Sequence, residues 1–577
     1  MTKTSKEHST AQSSGQSRAS MKRKKLGKNV SGLAGEILHA TSSSFGREPK
    51  GRDSHDGQPI AHKKSKKEKT EHASSEKLVV AGSSSSAKKD KKVAASSLER
   101  YDDDADVSNL SLLDILHLEE PVDVSSYQRS AMLLSKLITP TPREAFYATH
   151  WEQTPLLVER STSGNGKSSQ FKGLFSRKAF KTILQDYAAY YGVDVDVSKV
   201  NAQGSKSFAG TVVDNDAPAA EDSVVINSVK QLEDKEAQAV RAKPADIWRC
   251  SEQGYAVRLL CPQKYDDVLW NFLAALEHEF GCAADLLAGG CQGYAAMIDT
   301  ADSFVIQLSG ETRWRLWAPL PGSELPQGET RGCSEDDDDA EDGKRKADLD
   351  RLLRAGDTLY IPKGWGYATV SNSKTIEEQS LHLRIHTNRG NSVIDLLALV
   401  VPTAVETVAF ESAVARQGLP RTYHNYLGVP YSELEGIHPQ REHFMQRAGQ
   451  QLTAILNASL SMVDAGADQM VKKFISERLP VPLTEDEEAR TAAGASDARI
   501  FMYTQLRMLR PGIARVLIED NVCVVYHSMD NSREMFGAPL QPLEFELDDG
   551  PAIEALLQAY PEPVSVADLP HPSEEDD

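Results

Sequence analysis

The feature that most constrains the fold is a series of short apolar segments in the middle of the chain. Residues 303–308, 314–317, 358–361 and 381–385 are such segments, and glycine or proline lies between them. Short strands that alternate apolar and polar positions and are separated by turn residues favour a barrel or a sandwich over a parallel sheet. We therefore predict an antiparallel barrel or sandwich in this part of the chain.

Helical patterns flank these segments. Apolar residues at three-and-four spacing predict a helix at 126–137, and Pro140 and Pro142 then break it. The same spacing predicts helices at 393–410 and 445–474. The apolar face of these later helices has two interpretations, a seam between two copies of the chain or a helical bundle within one copy. We expect ordered structure from about Leu110, and residues 202–242 are interpreted as an excursion from the core.

The net charge of −19 combines a basic amino-terminal part with an acidic remainder. Residues 1–100 hold 22 Lys and Arg against 10 Asp and Glu, and the rest of the chain holds 43 against 74. This part contains too little apolar surface to offset the entropy of ordering, so it is predicted to be a disordered tail. Its basic runs at 21–25 and 62–67 are similar to a nuclear or nucleolar address that also contacts RNA phosphates. A tail that is only solvated is the alternative.

Composition also bears on the compartment. The six cysteines have no metal-ligand spacing, and we find no signal peptide and no apolar run of about 18 residues. These observations predict an intracellular, reduced protein that does not span a membrane. The acidic run at 334–342 is interpreted as a solvated loop, with a site for a cation or a basic partner as the alternative.

Three positions in the strand-rich part bear on metal chemistry. A non-heme iron site needs two histidines and one carboxylate, and residues two apart on a strand share a face. The chain has Met297 and Asp299 at this spacing and Tyr367 on a later segment, and residues 254–391 contain no His-x-Asp or His-x-Glu pair. A thioether is a poor Fe(II) ligand, and a phenol must first lose a proton with a pKa near 10. One suitable ligand, Asp299, does not make an iron site.

Several segments together are specific enough to name a family. They are residues 146–157, 258–263, 293–317, 356–362, 418–423 and 526–533. From about residue 125 to its end, the chain resembles the ribosomal oxygenase group of Jumonji-C proteins, which are histidyl-hydroxylases and histone lysine demethylases. The resemblance implies an α+β fold with a cupin-like double-stranded β-helix barrel. It also implies four parts, namely a basic tail at 1–105, the barrel with its amino-terminal helices at 110–390, a helical dimerisation region at 391–490, and a winged-helix-like domain with an acidic end at 500–577.

The resemblance also assigns site positions. Met297 and Tyr367 stand where the family has iron histidines, and Asp299 stands at the iron carboxylate. Thr312, Ala283 and His386 stand at positions that contact 2-oxoglutarate, where the family has lysine, asparagine and serine. For an active enzyme we expect Asp299 as a ligand with Tyr294 and Gln307 lining the pocket. A replacement metal set of Asp299, His386 and a third residue is the alternative, while His382 is predicted to have a packing role.

Two main functional hypotheses follow, and a third, an RNA- or chromatin-binding adaptor driven mainly by the basic tail, is compatible with the second of them. The first is an active Fe(II) and 2-oxoglutarate dioxygenase that acts on a ribosomal-protein histidine or a histone lysine. The second, which the substituted positions favour, is a degenerate oxygenase that keeps the scaffold and binds proteins in the nucleus and nucleolus. The expected partners are a second copy of the chain, a ribosomal protein or histone, and RNA through the tail, without a membrane.

Overall fold

The structure, a computed structural model, describes the chain from residue 110 to residue 570 with gaps. The described ranges are 110–118, 124–160, 170–200, 206–208, 240–253, 255–290, 293–322, 324–325, 330–331, 345–370, 380–434, 438–491, 499–534 and 541–570. The predicted tail, the acidic run at 334–342 and most of 202–242 lie outside these residues.

Helices cover one face of the barrel. They are α1 Leu112–Leu116, α2 Ser126–Ile138, α3 Arg143–Thr149, α4 Arg177–Asp186, α5 Pro244–Glu252 and α6 Asp267–Phe280. Helix α2 begins with a capping box, in which the Ser125 side chain accepts from the backbone N–H of Gln128 and the Gln128 side chain accepts from that of Ser125. It ends just before Pro140, so the helix predicted at 126–137 is confirmed within one residue.

Two antiparallel sheets form the barrel. Their strands are β1 Leu156–Val158, β2 Val195–Val200, β3 Lys206–Phe208, β4 Ala256–Leu260, β5 Asp285–Gly290, β6 Gly293–Ile298, β7 Asp302–Ser309, β8 Glu311–Trp317, β9 Thr330–Arg331, β10 Leu349–Arg354, β11 Thr358–Ile361, β12 Gly366–Val370 and β13 Leu381–Thr387. The larger sheet has the order β1-β11-β7-β13-β5-β4-β2-β3, and the smaller has the order β10-β8-β12-β6-β9. All their named pairings are antiparallel, as the sequence predicted.

The larger sheet is buried on both faces. Phe304 and Ile306 of β7 belong to the core that the sheet shares with helices α2 and α6. Val305, between them, points the other way and packs with Trp314 and Leu316 of the smaller sheet. The space between the two sheets is therefore a second core, and it contains the positions that the sequence proposed for chemistry.

A helical bundle follows the barrel. It consists of α7 Val393–Glu411, α8 Pro439–Ser461 and α9 Val463–Glu477, and α7 packs against both of the others. The single helix predicted at 445–474 is therefore two helices that meet at Met462. The bundle leaves many apolar side chains exposed, among them Val393, Ile394, Leu397, Val401, Val405, Phe410, Met445, Leu452, Leu456 and Leu460.

The prediction that the chain has no long apolar run was wrong. Within the described residues, helix α7 has the length and the composition of a membrane-crossing helix. Polar residues, such as Asp395 and Glu406, interrupt the run, so it was not recognised in the sequence. Because α7 packs against two helices of the same chain, its apolar surface is partly explained by the bundle.

The last part of the chain packs against α6. Its elements are α10 Glu485–Arg490, β14 Gln505–Leu506, β15 Ala514–Glu519, β16 Val522–His527, β17 Leu543–Phe545, α11 Gly550–Gln558 and β18 Val564–Ser565. The buried carboxylate of Glu277 accepts from the backbone N–H of Leu479 at 2.8 Å, and the Trp270 indole donates to the Pro480 carbonyl at 2.7 Å. The Arg533 guanidinium lies 3.6 Å from the centre of the Trp270 ring. These contacts fix the carboxy-terminal elements against the barrel's helical face.

Candidate functional site in the barrel

Strand β13 brings three basic side chains into the barrel. Leu383 and Ile385 belong to the core shared with the helices, so the alternating residues His382, Arg384 and His386 face the opposite side. All seven residues of the strand are buried. The strand thus places three imidazole or guanidinium groups between the two sheets.

Arg384 forms an ion pair with the carboxylate at the expected iron position. Its Nη2 donates to Asp299 Oδ2 at 3.0 Å and to Ser303 Oγ at 3.0 Å. The two charged side chains are 7% and 12% exposed. Burial opposes the ionisation of Asp299, but the charges of Arg384, His386 and Arg389 outweigh it and hold the Asp299 pKa below its ordinary value. Asp299 is therefore an ionised carboxylate whose counter-ion belongs to the chain itself.

Arg384 also contacts the residue at the second histidine position. Its Nη1 donates to the Tyr367 hydroxyl at 2.6 Å, and its guanidinium carbon lies 4.1 Å from the Tyr367 ring centre. Burial raises the Tyr367 pKa, although the Arg384 charge opposes the shift, so the phenol stays protonated. Met297 pairs with Tyr367 across strands β6 and β12, with its sulfur 3.9 Å from the hydroxyl. The structure thus gathers all three expected iron positions around one guanidinium.

Further charges surround Asp299 on its other side. His386 Nε2 lies 3.5 Å from Asp299 Oδ2, and its Nδ1 lies 2.6 Å from Asp285 Oδ1. Arg389 is 3.8 Å from Asp299 and 3.9 Å from Asp285, and its side chain is half exposed. Two carboxylates, two guanidinium groups and one imidazole form a continuous ionic network here.

The expected co-substrate positions carry no free cation. Thr312 is buried, and its hydroxyl is hydrogen-bonded to Ser380. Ala283 lies between α6 and β5 and offers no side-chain donor. Arg313, next to Thr312 on β8, points outward and pairs with Asp350 on the surface. The side chain of Tyr294 lies outside the part that the structure describes.

His382 is buried beside Trp314. The two ring centres are 5.7 Å apart in an edge-to-face arrangement. Burial, together with the charges of Arg384 and Arg258, lowers the His382 pKa to about 3. The imidazole is therefore neutral, which suits a packed position between the sheets.

These residues do not fit Fe(II). The described residues contain no group of three His, Cys, Asp or Glu side chains placed to hold a metal. Asp299 and His386 are neighbours, but the remaining positions around Asp299 belong to Arg384 and Arg389. A cation already occupies the space beside the carboxylate, and it repels a second one.

The sequence interpretation missed Arg384, Asp285 and Arg389. The signal for Arg384 was present, because residues 382–386 alternate basic and apolar side chains in a segment predicted to be a core strand. A basic residue there must either face solvent or find an internal partner. Asp285 and Arg389 carry no comparable pattern, because Asp285 begins β5 and meets His386 only through the sheet, and Arg389 follows the end of β13.

Comparison with known proteins agrees with this architecture. A profile of the JmjC domain matches residues 258–391, and a profile described as the C-terminal winged helix domain of ribosomal oxygenase 1 matches residues 478–577. Fold and matches together define a Jumonji-C barrel protein with a winged-helix domain after it.

Relatives match across most of the chain. Ribosomal oxygenase 1 of Rattus norvegicus is 31% identical over 468 residues, which cover 78% of this chain and 71% of the relative. The protein of the same name from Bos taurus is also 31% identical, and the match covers 63% of its length. The bifunctional lysine-specific demethylase and histidyl-hydroxylase NO66 of Branchiostoma floridae is 28% identical over 466 residues, 78% of this chain and 66% of the relative. The chain belongs to the ribosomal oxygenase family of Jumonji-C proteins.

The chain is also similar to a solved structure. It is the ribosomal oxygenase YcfD from Escherichia coli in complex with cobalt and 2-oxoglutarate, which is 15% identical. The alignment covers 74% of this chain and 91% of YcfD, with a TM-score of 0.37. This chain spans less than two thirds of the length of the bovine relative.

Proposed function

We propose that this chain is a catalytically degenerate ribosomal oxygenase that acts as a protein-binding scaffold in the nucleus and nucleolus. The observation that carries the proposal is the ion pair between Arg384 and Asp299. In an iron oxygenase the carboxylate must face an open metal position. Here the Arg384 guanidinium faces it, donates to Tyr367 and Ser303 as well, and places a positive charge where a metal ion would have to bind.

The charge balance of the site supports the same conclusion. Removing water from a carboxylate is costly unless an opposite charge compensates it. The metal ion supplies that charge in an oxygenase, and Arg384 supplies it here without any cofactor. The barrel therefore has a reason to keep Asp299 that does not involve catalysis.

The scaffold's binding partners are part of the proposal. The exposed apolar side chains of α7 and α8 suit a second copy of the chain, so we infer a homodimer. A ribosomal protein or a histone is the proposed partner protein by resemblance to the family, and both are basic while this chain's body is acidic. The basic residues of 1–100 are proposed to direct the chain to the nucleus and to contact RNA.

The alternative is an active Fe(II) and 2-oxoglutarate dioxygenase. One observation favours it, namely the 3.5 Å approach of His386 Nε2 to Asp299, which places two ligand types side by side. For this function Arg384 would have to leave Asp299 when the metal binds. That movement would expose a buried guanidinium to the incoming cation, which is unfavourable.

The test is metal content together with conversion of 2-oxoglutarate to succinate in the full chain, loaded with Fe(II) without oxygen and then exposed to it. Asp299→Asn keeps the shape of the site and removes the charge, and Asp350→Asn makes the same change on the surface. We expect neither bound iron nor succinate in the wild type. Stoichiometric iron and turnover that Asp299→Asn abolishes and Asp350→Asn leaves unchanged would establish the enzyme instead.

A further inference from the structure

Several buried polar atoms inside the barrel, among them Arg384 Nε, have no hydrogen-bond partner among the described residues. Three of them belong to uncharged side chains, namely Gln307 Oε1, Trp314 Nε1 and His382 Nδ1. Their side chains belong to residues that are 0%, 1% and 4% exposed. Buried polar atoms in proteins are almost always paired with protein, water or ligand, so each of these needs an explanation.

The three groups lie close to one another. Gln307 and His382 are direct partners across strands β7 and β13, and Trp314 meets His382 edge to face. Gln307 Nε2 donates to Ser380 Oγ at 2.6 Å, and Ser380 is bonded to Thr312, two residues before Trp314 on β8. The three residues that carry these unpaired atoms are therefore neighbours in the space between the two sheets.

The strand next to His382 has no side chain at the facing position. In the next strand, β5, the register partner of His382 is Gly289. A glycine inside a strand often marks a place where a ligand or another backbone approaches closely. Beyond it on β4, Arg258 takes the corresponding position in the same row.

The charged side chains around His382 are paired with charges of opposite sign. Arg258 is paired with Asp196, and Arg384 is paired with Asp299. His382 is neutral because its pKa is lowered, and Thr312 stands where a lysine would supply a positive charge. An anion entering here would find no cation that lacks a carboxylate partner, so a dicarboxylate is disfavoured.

We propose that the barrel interior between Gln307, Trp314 and His382 is a binding site for a small uncharged molecule that carries both a hydrogen-bond donor and an acceptor, such as a primary carboxamide. The ligand's carbonyl oxygen accepts from the Trp314 N–H, and its N–H donates to Gln307 Oε1. His382 Nδ1 completes the set in either role, since a neutral imidazole can donate or accept at this nitrogen. The inference rests on the proposed loss of the iron site and adds a ligand class to it.

Saturation-transfer NMR on the full chain tests the site with three probes, acetamide, acetate and 2-oxoglutarate. We expect transfer to acetamide and at most a tenth of it to the two anions. Trp314→Phe removes the indole donor and should abolish the acetamide signal. Trp317→Phe is the matched control, because that indole on the same strand already donates to the Arg345 carbonyl at 3.3 Å. Acetamide transfer that survives in Trp314→Phe, or anion transfer as strong as that to acetamide, would overturn the proposal.

Ordered water is the competing occupant, and thermal unfolding separates it from a ligand. Without probe, we expect Trp314→Phe to unfold below the wild-type temperature, because a fully buried indole is replaced by a smaller ring. Added acetamide should raise the unfolding temperature of the wild type and leave that of Trp314→Phe unchanged. No acetamide response in either protein would mean that water alone fills the site and would overturn the proposal. Iron measured in the same samples keeps the two proposals apart, because absent iron with absent acetamide binding overturns only this one.

Discussion

The Arg384 guanidinium lies inside the barrel against the Asp299 carboxylate, with Nη2 3.0 Å from Oδ2. Both groups are buried, and the same guanidinium also binds Tyr367 and Ser303. A buried pair of this kind adds little net stability, because the Coulomb attraction must first offset the loss of water from both charges. Removing one partner is a different matter, since it leaves the other charge buried and uncompensated. This asymmetry makes the pair's role measurable.

Asp299→Ala should destabilise the protein strongly. The variant leaves Arg384 buried beside a neutral phenol, and the expected loss in the free energy of unfolding is about 3–5 kcal/mol. Chemical denaturation of the purified chain measures it. Asp350→Ala breaks the exposed pair with Arg313 and should cost no more than about 1 kcal/mol.

The double variant Asp299→Leu with Arg384→Met tests whether the lost stability comes from the uncompensated Arg384 charge. Replacing both charges by apolar side chains should recover most of the stability lost in Asp299→Ala. If Asp299→Ala costs no more than the Asp350→Ala control, the ion pair is not the role of Asp299.

Restoring the iron histidines alone should not restore the metal. In the variant Met297→His with Tyr367→His, the Arg384 cation still lies beside Asp299 and competes with Fe(II). Adding Arg384→Ala removes that competitor and should give a clear gain in bound Fe(II), measured as metal content after anaerobic loading. The same triple variant carrying Asp299→Asn is the control and should lose the gain. Equal iron in the double and triple variants would show that Arg384 does not block the site.

The barrel strands could be predicted from the sequence because the apolar pattern that marks them is local. The segments at 303–308 and 358–361 correspond to β7 Asp302–Ser309 and β11 Thr358–Ile361. Such a pattern depends only on neighbouring residues, so no knowledge of the partner strands is needed. Helix α2 was equally predictable, since the spacing of its apolar residues and the prolines that follow it are also local features of the sequence.

The Asp299–Arg384 contact could not be predicted from a local sequence pattern. The two residues are 85 positions apart, and β6 and β13 belong to different sheets. Only the closure of the barrel brings them together. On this strand His386 was part of the alternative metal set and His382 was predicted to pack, while Arg384 between them was not singled out, although its side chain faces the same way.

The contribution of Glu277 to stability should fall with rising pH, whereas the buried imidazoles of His278 and His382, whose pKa values are lowered to about 3, contribute in the opposite direction. Burial raises the pKa of the Glu277 carboxyl to about 7, although the Arg478 charge and the backbone N–H groups of Ala284 and Leu479 oppose the shift. A raised folded-state pKa means that this contribution is fully present below the ordinary value of 4.5 and is lost as pH rises through 7. Within that window the slope of the Glu277 contribution is about −1.4 kcal/mol per pH unit.

Urea unfolding between pH 5 and pH 8, for the wild type and Glu277→Gln, measures this dependence. The variant loses one backbone hydrogen bond at every pH, at a cost of about 1–3 kcal/mol. It lacks the titrating proton, so the wild type's advantage should shrink from pH 5 to pH 7 and then stay constant. The depressed pKa of Asp299 places its titration below this range. A difference between the two proteins that does not vary with pH would contradict the assignment to Glu277.

Deleting residues 1–100 should abolish nuclear accumulation and weaken RNA binding. These residues carry most of the chain's basic runs, and phosphate contacts by Lys and Arg make binding fall steeply with salt. Fluorescence imaging and RNA titration at two salt concentrations report the two effects. Changing Lys63, Lys64, Lys66 and Lys67 to Gln in the full chain is the narrower variant. Unchanged affinity and salt dependence after the deletion would assign RNA binding to another part of the chain.

Substituting charged residues into the exposed apolar stripe of α8 should dissociate the proposed dimer into single chains. Leu452, Leu456 and Leu460 are exposed, and a spacing of four places them on one face of the helix. Leu452→Glu with Leu456→Glu would bury two carboxylates in a contact between copies, which is unfavourable without a partner charge. We expect light scattering after gel filtration to give twice the 63.2 kDa chain mass for the wild type and the single mass for the variant. Leu320→Glu changes an equally exposed leucine outside the bundle and should remain dimeric. A wild type that is monomeric at every concentration would instead leave the apolar faces of α7 and α8 to a different protein partner.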